Sequence, residues 1–287
     1  MPPDVCNIIL MYADSSSMYV VGGCDERHHH LASVEKYYPK QDTWTAVAKM
    51  GTKRGAHGVG MLDGMLYAVG GFDGFHIISS VEKYEPDQNE WTAVASMLDG
   101  ALYVVGGFDG RNVLTLGEKY DAATNKWTVM AAMGTERCCF GVAVLDGAMY
   151  IVGGIDQNYN ALASVEKYDP ERDKWKVVTA MNTKRGGLGV AMLDGMLYAV
   201  GGIDGHTRLA SVEKYDPVMN TWIAAAAMST KRSSLRVTVL DGTLYAVGGN
   251  DEQGNTIDLV EKYDSVQDKW LAVVAMGTKR YGYSIAS

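Results

Sequence analysis

The chain has 287 residues, of which 47% are hydrophobic, with four cysteines and a formal net charge of −8. The negative charge argues against nucleic acid or an anionic membrane as a partner, and no apolar run approaches the roughly 18 residues of a membrane-spanning helix. Neither the N-terminus nor the cysteine pattern is typical of a secreted protein, so we expect a cytoplasmic protein, in the cytosol or cytoskeleton.

The chain begins with two predicted strands, Ile8–Met11 and Met18–Val21, joined by the polar segment 12–17. A glycine pair follows the second strand; next come a Tyr preceded by Glu-Lys and, seven residues later, a Trp. This order recurs along the chain and uses every tryptophan that it contains. The six copies run from Gly22 to Trp44, Gly70 to Trp91, Gly106 to Trp127, Gly153 to Trp175, Gly201 to Trp222 and Gly248 to Trp270.

One copy shows the predicted elements clearly. The pair Asp194-Gly195 predicts a type I′ hairpin between two strands, because both central residues of that turn need positive φ. The second strand ends at Gly201-Gly202, a third spans Ser211–Asp216, and a fourth begins at Trp222. Each copy therefore predicts one four-stranded antiparallel sheet, and the spacing of 47 or 48 residues between most glycine pairs favours radial repetition of sheets.

The third copy is short. Trp91 and Gly106 are 15 residues apart, whereas the same interval elsewhere is 26 residues. The missing 11 residues fall between Met97 and Leu98, where other copies carry their first strand. The few residues left are too short to run back along a strand of roughly 17 Å. We therefore hypothesise that the molecule contains about 11 further residues here, which this sequence omits. Without them, this sheet has three regular strands.

The double glycine, the Tyr and the Trp at this period resemble the kelch repeat over nearly the whole chain. The resemblance implies an all-β fold, a six-bladed kelch β-propeller with four-stranded antiparallel blades, formed by residues 1–287 as a single domain. The segment Gly277–Ser287 matches only the opening of a copy, so we predict that Tyr283–Ala286 supplies the innermost strand of the first blade and closes the ring. Ile8–Met11 competes for that position, and the sequence does not decide between the two.

The recurring residues are interpreted mainly as architecture. Each Tyr and Trp lies across a turn from the other on adjacent strands, where large aromatic side chains can join neighbouring blades. The Glu-Lys before each Tyr is interpreted as a solvated charge pair, or the Glu bonds a loop backbone. An Arg before the inner strands is interpreted as structural, with a basic rim as the alternative. These arginines are Arg54, Arg137, Arg185, Arg232 and Arg280.

Function on a repeat scaffold is expected where the copies differ. The loops after the glycine pairs and the loops leading into the first strands share one face by the parity of the meander. Kelch proteins bind partner peptides on that face, and Arg and aromatic side chains give much of the contact energy in interfaces. The candidate partner-binding residues are Phe75, His76, Arg111, Asn112, Cys139, Phe140, Tyr159, Asn160, His206, Arg208, Ser234, Arg236 and Tyr281.

One departure from the family pattern concerns the ligand. Family receptors for acidic degrons carry arginines two positions after the recurring Arg. This chain has small, neutral residues there, namely Ala56, Cys139, Gly187, Ser234 and Gly282. We therefore expect a partly apolar or mixed peptide rather than a strongly acidic one.

Motifs for enzymatic chemistry are missing from the sequence, which has no Walker-type loop, nucleophile elbow or His-Glu-x-x-His motif. The run His28-His29-His30 has no second cluster with metal-ligand spacing. Cys138-Cys139 is interpreted as buried and inert, with a reactive thiol beside Arg137 as the alternative. The ligand set of the copper oxidases among kelch-related propellers does not occur. We predict no metal, no cofactor and no enzymatic activity.

By resemblance, the leading hypothesis is a protein-interaction module that recognises substrates for a cullin-RING ubiquitin ligase. Kelch-like adaptors of this kind also need BTB and BACK domains, which these 287 residues do not contain. The alternative is a cytoskeletal kelch protein that binds or crosslinks actin filaments. The expected partner is a protein or peptide on the loop face, or F-actin under the alternative.

Overall fold

The computed structural model describes residues 17–62, 64–76, 78, 80–93, 101–109, 111–121, 126–282 and 284–286. All regular secondary structure in these residues is β, in strands of two to five residues. No helix in this part of the chain could cross a membrane. Asp194 and Gly195 have φ angles of 50° and 74°, which confirms the predicted type I′ hairpin.

Six sheets follow one another along the chain, and we number them as blades I to VI. Blade I contains β1 (Met18–Val21), β2 (Val34–Tyr38) and β3 (Thr43–Val47). Blade II contains β4 (Gly58–Leu62), β5 (Met65–Val69), β6 (Val81–Glu85) and β7 (Glu90–Ala93), and blade III contains β8 (Ala101–Val105), β9 (Gly117–Asp121) and β10 (Lys126–Met130). Blade IV contains β11 (Gly141–Leu145), β12 (Ala148–Val152), β13 (Val165–Asp169) and β14 (Lys174–Val178).

Blade V contains β15 (Gly189–Leu193), β16 (Met196–Val200), β17 (Val212–Asp216) and β18 (Thr221–Ala225). A short strand, β19 (Arg232–Ser233), leads into blade VI, which contains β20 (Arg236–Leu240), β21 (Thr243–Val247), β23 (Val260–Asp264) and β24 (Lys269–Val273). Strand β19 pairs with β22 (Asn250–Asp251), and β25 (Ser284–Ala286) is the last strand of the chain. The blades form the predicted six-bladed propeller.

The ring is closed by the C-terminal strand. Strand β25 pairs antiparallel with β1, with Ile285 opposite Val20, and the sheet order is β25-β1-β2-β3. The prediction that the C-terminal segment supplies the innermost strand of blade I is therefore confirmed. Tyr283 and the competing segment Ile8–Met11 lie outside the described residues.

Blade III has three strands in the described part of the chain, in the order β10-β9-β8. Tyr103 and Val104 of β8 are half-buried, whereas the equivalent Tyr150 and Ile151 of blade IV are 2% and 0% exposed. The predicted shortage of an inner strand in this blade is confirmed. The junction between Met97 and Leu98, where our hypothesis places the omitted residues, lies outside the described residues.

Neighbouring blades pack through apolar clusters that contain the recurring aromatic residues. Such clusters join blades I and II, III and IV, IV and V, V and VI, and VI and I in the described residues. Tyr84 lies opposite Trp91 across a strand pair, and the Trp91 indole N–H donates to the Ala48 carbonyl of the preceding blade at 2.9 Å. Asn89 accepts from the Tyr84 hydroxyl at 2.9 Å and from the Ala48 N–H at 2.8 Å. The predicted joining of blades by Tyr and Trp is confirmed.

The recurring Arg is buried beneath the loops and paired with a Glu. Arg185 is 0% exposed, and its guanidinium donates to the carbonyls of Gly201 and Ser211, both at 2.8 Å, and to the Glu213 carboxylate at 3.0 Å. The same pairing occurs five times in the described residues, as Arg54–Glu82, Arg137–Glu166, Arg185–Glu213, Arg232–Glu261 and Arg280–Glu35. The structural interpretation of the Arg is confirmed.

Each pair anchors the loop that connects two blades. The Arg185 main chain bonds blade IV, since the Gly154 N–H donates to the Arg185 carbonyl at 2.8 Å. Its side chain and the Glu213 carboxylate hold the same loop to blade V, because Glu213 also accepts from the Asn182 N–H at 2.8 Å. Burial by itself raises the pKa of Glu213, but hydrogen bonds from Asn182 and Arg185 outweigh it and hold that pKa below its usual value. Of the two alternatives for the recurring Glu, bonding to a loop backbone is the one observed.

We expect Arg185→Met to lower the free energy of unfolding by about 3–5 kcal/mol, because it leaves the buried Glu213 carboxylate without its partner charge. The matched control is Lys184→Met, since Lys184 is the preceding residue and is exposed; it should change stability by no more than about 0.5 kcal/mol. Urea denaturation of both variants measures the difference. Equal stability of the two would contradict the architectural role of the Arg.

Candidate protein-binding face

The two loop sets lie together on one side of the propeller. In five blades of the described part of the chain, the loop after the glycine pair is bonded to the loop that leads into the next blade, as in the 2.8 Å bond from the Gly23 N–H to the Arg54 carbonyl. We call this surface the loop face. It comprises the loops that start at Asp25, Asp73, Asp109, Asp156, Asp204 and Asp251, together with the segments that follow the buried arginines.

An aspartate two residues after each glycine pair shapes the first loop set. Asp156 accepts from the backbone N–H groups of Asn158 and Asn160 at 2.9 and 2.8 Å, and the Asn160 side-chain amide donates to its second oxygen at 3.0 Å. Tyr159 between them has a φ of 63° and is 65% exposed. The carboxylate thus stabilises a loop whose tip points the Tyr159 ring toward solvent.

In blade II, an aspartate that accepts backbone hydrogen bonds also holds an exposed aromatic residue. Asp73 accepts from the N–H groups of Phe75 and His76, each at 2.7 Å. Phe75 is 86% exposed, and His76 is exposed beside it with its ring 6.5 Å from the Phe75 ring. Backbone hydrogen bonds from His76 and Phe75 hold the pKa of Asp73 below its usual value, so this carboxylate is charged at neutral pH. We call each of these loop-stabilising aspartates a cap.

Blades III and V use the same cap for other candidates. Asp109 accepts from the N–H groups of Arg111 and Asn112 at 2.8 and 2.7 Å, and both residues are exposed. In blade V, the N–H of the exposed His206 donates to Asp204 at 2.9 Å. The sequence analysis did not single out these aspartates, although their fixed position after each glycine pair is a signal that could have found them.

Other candidates connect loops and are less available to a partner. The Arg208 guanidinium donates to the Ser233 hydroxyl at 3.0 Å and is half-buried. The Tyr281 hydroxyl lies 2.5 Å from the His28 ring nitrogen and joins the C-terminal segment to blade I. These side chains fix the relative positions of neighbouring loops.

The centre of the loop face is lined by small residues in left-handed backbone conformation. Their φ angles lie between 51° and 58°, and they are Ala56, Cys139, Gly187, Ser234 and Gly282. Backbone bonds run between them, from the Gly187 N–H to the Cys139 carbonyl and from the Ser234 N–H to the Gly187 carbonyl, both at 2.7 Å. Cys139 and Ser234 are half-buried. These positions therefore form a floor of backbone and short side chains.

Arg236 lies next to this floor and is half-buried. Its guanidinium donates to the Leu235 carbonyl at 3.2 Å. Burial, followed by the positive charges of Arg54 and Arg236, lowers the pKa of the buried His57 to about 3. The centre thus carries one partly accessible guanidinium beside a neutral imidazole.

Phe140 does not belong to the loop face. It is 2% exposed and packs in the core between blades III and IV. As the residue after Cys139, it begins the turn into the buried inner strand, so its side chain points into the core. The structure removes Phe140 from the candidate set, and Cys138, at 0% exposure, is also buried.

The three consecutive histidines have three different neighbours. His28 contacts Tyr281, His29 lies 3.1 Å from an Asp25 oxygen, and the His30 ring packs on Phe72 with centroids 5.1 Å apart. Among the described residues, no three or more His, Cys, Asp or Glu side chains are arranged to hold a metal ion. The run contributes to loop packing.

Comparison with known proteins agrees with this architecture. The family model described as KLHDC2/KLHL20/DRC7 Kelch-repeats domain matches residues 94–286, and the Kelch motif model matches residues 15–51 and 53–98. The solved structure of YjhT aligns with a TM-score of 0.76 and 14% identity over 94% of this chain and 98% of that chain, which supports the fold alone.

Curated relatives match over short segments. Human Kelch-like protein 5 is 61% identical over 41 residues, and mouse Kelch-like protein 1 is 57% identical over 44 residues. These segments are 14% and 15% of this chain but only 5% and 6% of the relatives. The kelch matches support a protein-interaction module. Because the first family model covers more than half of the sequence, this chain belongs to the kelch-repeat family.

Proposed function

We propose that the loop face binds a protein partner, and that the chain is the substrate-recognition propeller of a cytoplasmic cullin-RING ubiquitin ligase adaptor. The observation that carries the binding surface is the pair of aromatic side chains on aspartate-capped loops, Phe75 at 86% and Tyr159 at 65% exposure. Exposed aromatic rings on a rigid scaffold are the residues that contribute most to interfaces. The ligase role is supported by the similarity to kelch-like proteins.

The chemistry of the face indicates the kind of partner. The floor is neutral, with Cys139 and Ser234 half-buried at its centre, and the aromatic tips stand around it. Arg111 is exposed on blade III, and exposed lysines precede the buried arginines, at Lys53, Lys184, Lys231 and Lys279. A peptide with apolar side chains and a few acidic or polar groups complements this combination better than a run of carboxylates does.

The affinity of such a face depends on pre-organised loops, since ordering a mobile loop on binding costs free energy. The six caps hold the loop backbones through hydrogen bonds within each loop, as Asp156 does for Tyr159. The Phe75 and Tyr159 rings are therefore already in position when the partner binds.

We expect Phe75→Ala and Tyr159→Ala each to weaken binding of a purified partner by about tenfold or more, because truncation of an aromatic anchor removes about 1.4 kcal/mol or more. Val266→Ala is the matched control, since Val266 is 94% exposed on a turn at the opposite side of the propeller. Isothermal titration with a partner identified by crosslinking to the wild-type chain measures the difference. Unchanged affinity in both aromatic variants would exclude this face.

A second prediction concerns the caps. Asp156→Ala should weaken binding and speed amide hydrogen exchange at Asn158 and Asn160, because both N–H groups lose their acceptor. Asp156→Asn keeps an acceptor oxygen in the same place and should stay close to the wild type. Hydrogen exchange by mass spectrometry and titration with the same partner test both variants. If Asp156→Ala exchanges no faster than the wild type, the cap does not order the loop.

The ligase role and the actin alternative are separated by one comparison. In cells, the tagged natural protein should coprecipitate a cullin, and the level of its bound partner should rise when cullin neddylation is inhibited. Tyr159→Ala should abolish that rise while leaving the cullin bound, because the two interactions use different surfaces. Co-sedimentation of the purified chain with F-actin, and no cullin, would replace the ligase role by the cytoskeletal one.

A further inference from the structure

The unusual blade III carries a site that the loop-face proposal does not use. In five blades a buried Arg enters a socket made by a Glu carboxylate and two backbone carbonyls, and an inner strand follows that Arg. We propose that blade III of the 287-residue chain holds the same socket and, among the described strands, an unpaired edge on β8, and that it binds an extended, arginine-containing peptide segment of another polypeptide. The ligand would complete the blade by adding a strand.

The carboxylate of this socket is Glu118. It lies opposite Val104 and Val129 in the sheet, as Glu166 lies opposite Ile151 and Val177 in blade IV. Glu166 is 1% exposed and is bonded to Arg137 at 2.8 Å. Glu118 is exposed, and no arginine in the described part of the chain pairs with it. The site thus has an accessible acid where the other blades have a neutralised pair.

The backbone parts of the socket are also in place. In blade VI the Arg232 guanidinium donates to the carbonyls of Gly248 and Leu259, and the equivalent residues of blade III are Gly106 and Leu116. Gly106 N–H donates to the Leu116 carbonyl at 2.8 Å, the same bond that joins Gly248 to Leu259 at 2.9 Å. The two carbonyls therefore have the geometry that holds an Arg elsewhere.

The neighbouring blade offers the other half of the connection. In five blades the N–H of the second glycine donates to the carbonyl of the buried Arg of the next loop, as from Gly154 to Arg185 at 2.8 Å. The equivalent donor of blade II is Gly71, which has no such bond among the described residues. An Arg residue placed in the socket would accept from Gly71 through its carbonyl and bond blade III through its side chain.

In the described part of the chain, no strand covers the edge of β8 beside the socket. Tyr103 and Val104 are half-buried, although both equivalents in blade IV are fully buried by the inner strand β11. Among the described strands, β8 pairs only with β9. A peptide strand along β8 would cover this apolar surface and supply its missing backbone partners.

Packing sets a second requirement on the ligand. The inner strands of blades IV and V begin with glycines, and a Cβ on Gly141 would lie 2.1 Å from a Val190 methyl, while one on Gly189 would lie 2.2 Å from a Val237 methyl. A strand in blade III would face Val142 in the same way. The matching pattern is an Arg, two spacer residues, an apolar residue, a Gly and an alternating apolar strand, as in Arg185–Leu193.

The test uses the chain itself and a synthetic peptide with the sequence of residues 181–193, labelled at its N-terminus. We expect saturable binding to the wild-type chain by fluorescence anisotropy. The Arg185→Ala peptide should bind at least about tenfold more weakly, and Glu118→Gln in the protein should weaken the parent peptide to a similar degree. A Gly189→Val peptide should also bind poorly, because its side chain would clash with Val142.

The pairing itself is tested by the double change. If Glu118 contacts the peptide Arg, Glu118→Gln should have little further effect on the Arg185→Ala peptide. Glu171→Gln, an exposed change in a turn at the opposite side, should bind the parent peptide like the wild type. Absence of saturable binding, or equal binding of parent and Arg185→Ala peptides, would overturn the proposal. Since Glu118 is exposed, Glu118→Gln is expected to unfold at the wild-type temperature, which circular dichroism checks.

Discussion

The buried pair of an Arg and a Glu is the interaction on which the ring depends. Each pair takes one connecting loop, already bonded through its main chain to the preceding blade, and fastens it by a side chain to the following blade. Lysine could not replace the Arg, because a single ammonium cannot reach a carboxylate and two carbonyls that lie in different directions, whereas the planar guanidinium presents donors along several. Burying both charges is expensive unless they are fully bonded, and the Glu213 carboxylate meets this condition by also accepting from the Asn182 and Thr183 backbones.

The same pairs determine where recognition can occur. They hold the loops that lead into the inner strands, while the aspartates hold the loops after the glycine pairs, so both halves of the loop face are fixed by residues that recur. The tips of the loops after the glycine pairs are not used for these bonds, and the blades differ there. Phe75 and Tyr159 are aromatic, and Arg111 is basic. Adjacent residues in the sequence take opposite roles for this reason, as with the exposed Lys184 and the buried Arg185.

Much of this architecture could be predicted from the sequence, because the relevant signals are local. The Asp-Gly turns, the position of each Tyr and Trp and the unmatched C-terminal strand predicted the blades and the closing strand correctly. The partner of each Arg could not be deduced, since Arg54 and Glu82 are 28 residues apart, and a basic rim remained the alternative to a structural Arg. Phe140 was assigned to the loop face as part of a segment that leads into a first strand, but the left-handed backbone at Cys139, with φ of 51°, directs the next side chain into the core. That reversal depends on the bonds between blades and has no signature in one copy.

Blade III shows what the buried Arg–Glu pairs contribute, because its Glu118 has no Arg partner in the described residues. Apolar clusters and an Arg join blades I to II, III to IV and the remaining neighbours, but in the described residues neither a cluster nor an Arg joins blades II and III. Among the described residues, this joint therefore has the fewest links between neighbouring blades. Phe75 and Arg111 stand on either side of it, on loops that are each rigid because of their own caps. The distance between these two side chains consequently depends on how blades II and III are held together, and a segment that filled the Glu118 socket would fix both the joint and this part of the loop face.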